Sequence, residues 1–273
     1  MIETPYLPKF LASGIGLSGS RIMSKIRKKK IKDLLDITIY CPEDGDEGAF
    51  NLDGELRTLE WLENEIASID LLLLTADFSN QSTFELFPDV MAKATEHGIF
   101  VFVFPVNGPI RGKLGYHAIT NEKIFFVEPV EHLSASQDEI VVNGIKAISD
   151  ITFAAQPMVV DYWDIKHSLD SYPGFTVLGQ GEGATCELAV QGALTCFSEA
   201  GVDLEKAKGF IVGVAVGKPP EMQEVVPGLH LIQEAAHEDA DIVWGFVDDP
   251  TLGANIRVSV FAFGFDARPI TSS

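Results

Sequence analysis

The stretch QPMVVDYWDIKHSLDSYPGFTVLGQGEGATCE, from Gln156 to Glu187, ends one half of the chain and opens the other. Its apolar run Met158-Val159-Val160 stops at Asp161, and Asp164 follows about one helical turn later, with Tyr162 and Trp163 between them. An Asp at a helix start accepts a hydrogen bond from an orphan backbone N–H, and a second acid in the first turn faces the positive end of the helix dipole. The spacing therefore predicts a short helix from this acidic turn through Leu169. Capping is one complete account of the two acids. Presentation of both carboxylates to another molecule is the other.

Downstream, hydrophobic periodicity predicts a strand at Phe175–Leu178, a helix over Ala184–Glu199, a strand at Gly209–Val216, a helix over Glu221–His237, and strands at Ile242–Val247 and Asn255–Phe263. These elements make a four-stranded mixed sheet with helices. Upstream, Ser136-Gln137-Asp138-Glu139 has the form of a capping box, and it opens a helix whose inner face is Ile140, Val141, Ile145, Ile148 and Ile151. Earlier still, Asp70–Leu74 and Ile99–Pro105 read as buried strands, with a helix ending over Ala92–Gly98 between them. Leu59, Leu62 and Ile66 place a helix over Leu56–Ile69. Short strands are expected near Phe10–Ala12 and at Ile37–Tyr40, and CPEDGDEGAFNLDGE, starting at Cys41, reads as an acidic, glycine-punctuated loop. Strand and helix in alternation argue for a parallel α/β sheet in this front half.

Gly14-Ile15-Gly16-Leu17-Ser18-Gly19 is a GxGxxG motif at the start of a helix that carries Ile22, Met23 and Ile26. Glycines let a turn approach a phosphate closely, and a helix N-terminus offers free N–H groups and a favourable dipole. Three readings stay open. The motif is a phosphate loop, a plain tight strand-to-helix turn, or a dinucleotide turn with Glu43 or Asp44 as the ribose acid.

Val160-Asp161-Tyr162-Trp163-Asp164-Ile165 resembles the synergy loop of the tubulin/FtsZ family, NLDFADV, with Val159 in place of the leading Asn. Ala147-Ile148-Ser149-Asp150-Ile151 resembles the end of that family's central helix. The likeness continues through Gly179-Gln180-Gly181-Glu182-Gly183, Ala207–Val212, Asp239–Gly245 and Arg257–Phe265, and is most like bacterial FtsZ. The resemblance implies a divergent, shortened member: a Rossmann-like, parallel-sheet, nucleotide-binding-like domain over residues 1–135, a central connecting helix at 136–156, and a smaller FtsZ-like C-terminal domain over 157–273 with the four-stranded mixed sheet. It also implies a chain that ends at Ser273 without the family's disordered tail and terminal peptide.

The resemblance places the nucleotide in the front domain of one subunit and the synergy-loop acids of the next subunit beside the attacking water. Asp161 and Asp164 are thereby the catalytic candidates, acting in trans, and Gly14, Gly16, Ser18, Gly19, Ser82 and Thr83 the candidates for holding GTP or GDP with Mg. The front loops depart from the pattern. Where the family has AGMGGGTGTGAAP, this chain has Ala76-Asp77-Phe78-Ser79-Asn80-Gln81-Ser82-Thr83-Phe84-Glu85-Leu86-Phe87-Pro88, and only Ala76 and Pro88 agree. A non-glycine forced into a left-handed conformation costs about 1–2 kcal/mol. Several such sites together approach the roughly 8 kcal/mol of a micromolar complex. Asp77 and Glu85 would also repel a triphosphate, while Phe78, Phe84 and Phe87 would fill space or face a partner. Pro105-Val106-Asn107-Gly108 matches a family loop only loosely, and Val127-Glu128-Pro129-Val130-Glu131-His132-Leu133 stands where the family's PNDRL does. His132 reads as a surface histidine. The expectation is an assembly protein with lost or weakened GTP binding, which self-associates or caps an FtsZ-like filament. The alternative is an active GTPase completed between subunits, serving cell division or a related cytoskeletal filament.

Composition narrows the classes further. Forty acids against twenty bases give a formal charge of −20, which opposes binding to nucleic acid or to anionic lipid. Against that background Arg21, Lys25, Arg27, Lys28, Lys29, Lys30 and Lys32 form a basic run, either a solvated helix face or a dock for an acidic partner. Cys41, Cys186 and Cys196 show no metal-site spacing and no even disulfide set, so buried free thiols in a reducing compartment are expected. The start lacks a secretory pattern, and the apolar runs Ile69–Ala76 and Ile99–Val106 are too short to span a bilayer, so a cytoplasmic location without membrane insertion follows as an expectation.

Overall fold

The computed structural model describes residues 8–29, 34–40, 48–50, 56–57, 65–79, 81–106, 123–130, 136–153, 160–173, 175–218 and 221–266, with the side chains of 34–40, 48–50, 56–57, Leu17, Ser82 and Phe153 left outside that description. The chain divides into two compact units, Met1–Ile124 and Phe125–Ser273. Among the described residues no helix is long and apolar enough to cross a membrane.

The first unit is built on β1 (Phe10–Ile15), β2 (Leu34–Tyr40), β3 (Gly48–Phe50), β4 (Leu56–Arg57), β5 (Leu71–Asp77) and β6 (Phe100–Val106), in the order β6-β5-β1-β2-β3-β4. β6, β5, β1 and β2 run parallel, and β3 and β4 add an antiparallel edge. Every residue of β1, β5 and β6 is buried, so these strands read as continuous apolar runs rather than alternations. Helix α1 (Gly16–Lys29) packs on β1, β2 and β5 through Ile22, Met23 and Ile26, all buried. Helix α2 (Gln81–Glu96) follows β5 and contains Pro88 within it.

Several expectations are corrected here. The first strand reaches Ile15 rather than Ala12, because parallel pairing with β2 and β5 holds along its whole length and places Gly14 opposite Thr38 and Thr75. The acidic loop after Cys41 contains β3, which pairs with the end of β2. Leu56 and Arg57, expected in a helix, pair as strand with β3. Of that expected helix, 58–64 lie outside the described residues and Glu65 and Ile66 are helical. Glu43 and Asp44 also lie outside the described residues.

In the second unit, β7 (Ile124–Pro129) pairs with β8 (Phe175–Gly183), and the remaining strands are β9 (Gly209–Val216), β10 (Asp241–Asp248) and β11 (Ile256–Phe265). The order is β10-β9-β11-β8-β7. β10 runs parallel to β9, β7 runs parallel to β8, and β11 is antiparallel to both its neighbours. The four strands read from the C-terminal sequence thus form the mixed sheet, with β7 added at its edge. Helix α3 (Gln137–Phe153) begins at a capping box in which the Ser136 N–H donates to Glu139 at 3.0 Å and the Glu139 N–H donates to the Ser136 hydroxyl at 3.4 Å. It lies on one face of the sheet, where Gly144 approaches Leu178 and Phe261 and Gly213 approaches Ala147. The other face is covered by α5 (Cys186–Glu199), whose Phe197 ring sits over Gly179, and by α6 (Met222–Ala235), which packs on α5. Between α3 and β8 stands α4 (Tyr162–Ser171).

Candidate functional site

At the carboxyl ends of β1 and β5 the chain makes two sharp turns into α1 and α2, and the glycine motif is spent there on packing and on one unusual backbone angle. A Cβ at Gly14 would come within 2.5 Å of the Gly19 carbonyl oxygen, and one at Gly19 within 2.7 Å of the Thr75 carbonyl oxygen. Backbone therefore touches backbone where α1 crosses β1 and β5. The Thr75 hydroxyl fastens this crossing, donating to the carbonyls of Ser13 at 3.2 Å and Gly19 at 3.3 Å. Gly16, the first residue of α1, has φ +77°, a left-handed conformation that glycine adopts without cost.

Asp77 ends β5 beside this turn and is only 4% exposed. Its carboxylate accepts the Ser79 N–H at 3.0 Å and the Ser79 hydroxyl at 2.5 Å. Burial by itself would raise its pKa. The hydroxyls of Ser79 and Ser18, with the backbone N–H groups of both residues, outweigh burial and hold the carboxyl below its ordinary range. Ser18 lies in the first turn of α1, which contains no acid of its own, whereas Arg27, Lys28 and Lys29 occupy the last turn. Asp77 thus supplies, from the neighbouring strand, the negative charge that the positive end of α1 favours. Thr83, in the first turn of α2, is fully buried, and its hydroxyl makes no hydrogen bond. It stands 3.0 Å from the place a Gly16 Cβ would occupy, with the Asp77 Cβ 3.1 Å from the same place.

Gly16, Ser18 and Thr83 are therefore gathered around Asp77, while Gly14 and Gly19 meet each other at the α1 crossing beside Thr75. Ser82 lies on the first turn of α2, its side chain outside the described residues. Phe78 and Phe87 are buried and Phe84 half-buried, with the Phe78 ring 5.5 Å from that of Phe84 and 5.1 Å from that of Phe87, so the aromatic residues fill space. Glu85 is exposed and receives a hydrogen bond from Gln81 at 3.2 Å. Asn107, Gly108, Glu131, His132 and Leu133 lie outside the described residues. Sequence reading identified Asp77 as a repulsive charge and missed its bonds to Ser18 and Ser79. The Asp-Phe-Ser spacing at a strand end, which suits a local carboxylate-to-backbone turn, carried half of that signal.

In the second unit, Asp161 is the N-cap of α4 and accepts the Trp163 N–H at 3.0 Å. Tyr162, Ile165 and Leu169 point inward, Asp161 and Asp164 are exposed, and Trp163 is 54% exposed. The Lys166 ammonium lies 6.0 Å from the Trp163 ring centroid and pairs with Asp170 at 2.5 Å. The cap uses the Asp161 Oδ1, and both Asp161 and Asp164 are exposed. Val160 seats the turn, packing on Gly245 and donating its N–H to the Ile151 carbonyl at 3.3 Å. On α1, Arg21 and Lys28 are exposed and Lys25, Arg27 and Lys29 half-buried along the outer side. Lys30 and Lys32 lie outside the described residues. Cys186 and Cys196 are buried free thiols, the former pushed up to about 11 by burial.

Residues 174–266 match the model of the FtsZ family, C-terminal domain. Over that segment the chain is similar to the FtsZ family's C-terminal domain. An empty FtsZ dimer from M. jannaschii superimposes with a TM-score of 0.75 at 17% identity, over 95% of this chain and 89% of that one. CetZ1 from Haloferax volcanii, a GDP-bound monomer, superimposes with a TM-score of 0.62 at 14% identity, over 96% of each chain. A CetZ from Methanosaeta thermophila gives 0.66 at 13% identity, over 94% of this chain and 87% of that one. The FtsZ-family segment contains the whole β8-to-β11 sheet, whereas the Asp77 turn lies in the part of the chain that matches in fold alone.

Proposed function

We propose that this FtsZ-like chain is a cytoskeletal assembly subunit with lost or weakened GTP binding, which associates with itself or with an FtsZ-like filament through the Asp161–Asp164 turn. The buried Asp77 carboxylate carries this reading. A nucleotide phosphate seated at the N-terminus of α1 needs bare N–H groups and a positive field. Here the Ser18 N–H already bonds to a carboxylate, and a phosphate would meet that charge at hydrogen-bond range. The residues present do not fit a phosphate in that seat, because the Asp77 carboxylate already holds its donors. The Asp161 and Asp164 carboxylates, by contrast, stand exposed around Trp163, where another molecule can meet them.

Sedimentation of the purified chain without nucleotide, alone and with an FtsZ from the same organism, tests the reading. Self-association or altered FtsZ polymerisation is expected, and Asp161→Ala combined with Asp164→Ala weakens it. A chain that neither associates nor changes FtsZ polymerisation sinks the proposal. The retained left-handed Gly16 and the close Gly14–Gly19 approach favour a second reading, an active GTPase completed between subunits. GTP turnover that rises with protein concentration and disappears in the same double variant would establish it instead.

A further inference from the structure

The first unit holds a buried anion seat with no vacancy. The seat combines the N-terminus of a fourteen-residue helix, the left-handed Gly16, where a Cβ would crowd the Thr83 hydroxyl at 3.0 Å and the Asp77 Cβ at 3.1 Å, and the fully buried, unbonded Thr83 hydroxyl itself. The Ser18 N–H and hydroxyl and the Ser79 N–H and hydroxyl converge on the Asp77 carboxylate. Such a donor set suits a tetrahedral oxyanion as well as a carboxylate, because both spread negative charge over oxygens that accept several N–H and O–H bonds.

The geometry points to Asp77 as an internal ligand: its carboxylate takes the place of an inorganic oxyanion at the start of α1 and holds the two turns in the anion-bound arrangement permanently. This deepens the assembly reading and rests on it, since it makes the assembling conformation independent of nucleotide. The β5–α2 turn needs no exogenous phosphate to satisfy Ser18 and Ser79. It follows that removing the Asp77 side chain, without removing the donors, turns a closed seat into a vacant one, whereas Asp77→Asn takes away only the repelling charge.

Inorganic tripolyphosphate titrated into the full chain tests this, followed by calorimetry and by the amide resonances of Ser18 and Ser79. Wild type is expected to show no binding and no amide shift. Asp77→Asn and Asp77→Gly, shown folded by circular dichroism, are expected to bind tripolyphosphate at least about ten-fold more tightly than wild type, because a like charge at hydrogen-bond range has been removed. Thr83→Val on the Asp77→Asn background should reduce that gain. If the glycine variant fails to fold, the nearly isosteric Asp77→Asn carries the comparison. Folded Asp77→Asn that binds no better than wild type overturns the inference, as does wild type whose Ser18 and Ser79 amides shift with tripolyphosphate. A gain of binding in a chain that never associates would support the seat and remove only the assembly reading; association without any gain would do the reverse.

Discussion

Asp77 keeps its charge in near-complete burial, and so its contribution to stability depends on pH. Its folded-state pKa lies below the unfolded value of about 4. Its stabilisation is therefore full above about pH 4, declines as pH falls, and is lost once pH passes below the folded value. Thermal melts of wild type and Asp77→Asn between about pH 6 and pH 3 should converge as pH falls; a gap that stays constant would show that the charge is not what matters. A second buried charge behaves differently. Asp150 on α3 is pushed up by burial, opposed by the paired Lys146, while Asp248 and Asp249 add to the upward shift. Arg257 pairs with Asp249 at 2.5 Å beside them. Removing Lys146 leaves a buried carboxylate uncompensated, so Lys146→Met should cost about 3–5 kcal/mol in urea denaturation. Lys146→Met with Asp150→Leu should recover most of that loss, because neither charge then needs burial.

The acidic turn and α4 show how much of an element is set locally. Asp161 has extended backbone angles, φ −67° and ψ 131°, and caps α4 through the Trp163 N–H, as the Asp-x-x-Asp spacing implied. Asp161→Ala should therefore destabilise the second unit by about 1 kcal/mol, read as a lower urea midpoint, while Asp164→Ala costs less because it touches only the helix dipole. If both cost nothing, the cap is not holding the turn. The capping box of α3 was equally legible, since Ser136 and Glu139 need only be three residues apart in a helical first turn. Pairing across the sheet was not. Whether Gly14 lies in a turn or a strand depended on β2 and β5, and β3 and β4 arise from partners that local propensity does not contain.

For the molecule as a whole, charge sets the terms of association. With forty acids and twenty bases, two copies repel, and salt shortens the reach of that repulsion to about 8 Å near physiological ionic strength. Self-association, measured by sedimentation equilibrium, is expected to strengthen as salt is raised. The opposite trend would instead identify the basic outer side of α1, with Arg21 and Lys28 exposed, as the contact to an acidic neighbouring surface.

The sequence by itself determined the α/β class, the mixed C-terminal sheet, the capped acidic turn and the FtsZ-like C-terminal segment, because each rests on spacing within an element or on a motif carried by contiguous residues. Only the tertiary structure decided what the glycine motif and Asp77 do. Gly14 and Gly19 are needed because α1 touches β1 and β5 backbone to backbone, and Asp77 matters because folding brings the end of β5 to the first turn of α1. Those residues are far apart along the chain, and no local preference links them. The physical reason is that a helix N-terminus attracts any anion that reaches it, and the fold, not the motif, selects the carboxylate that arrives.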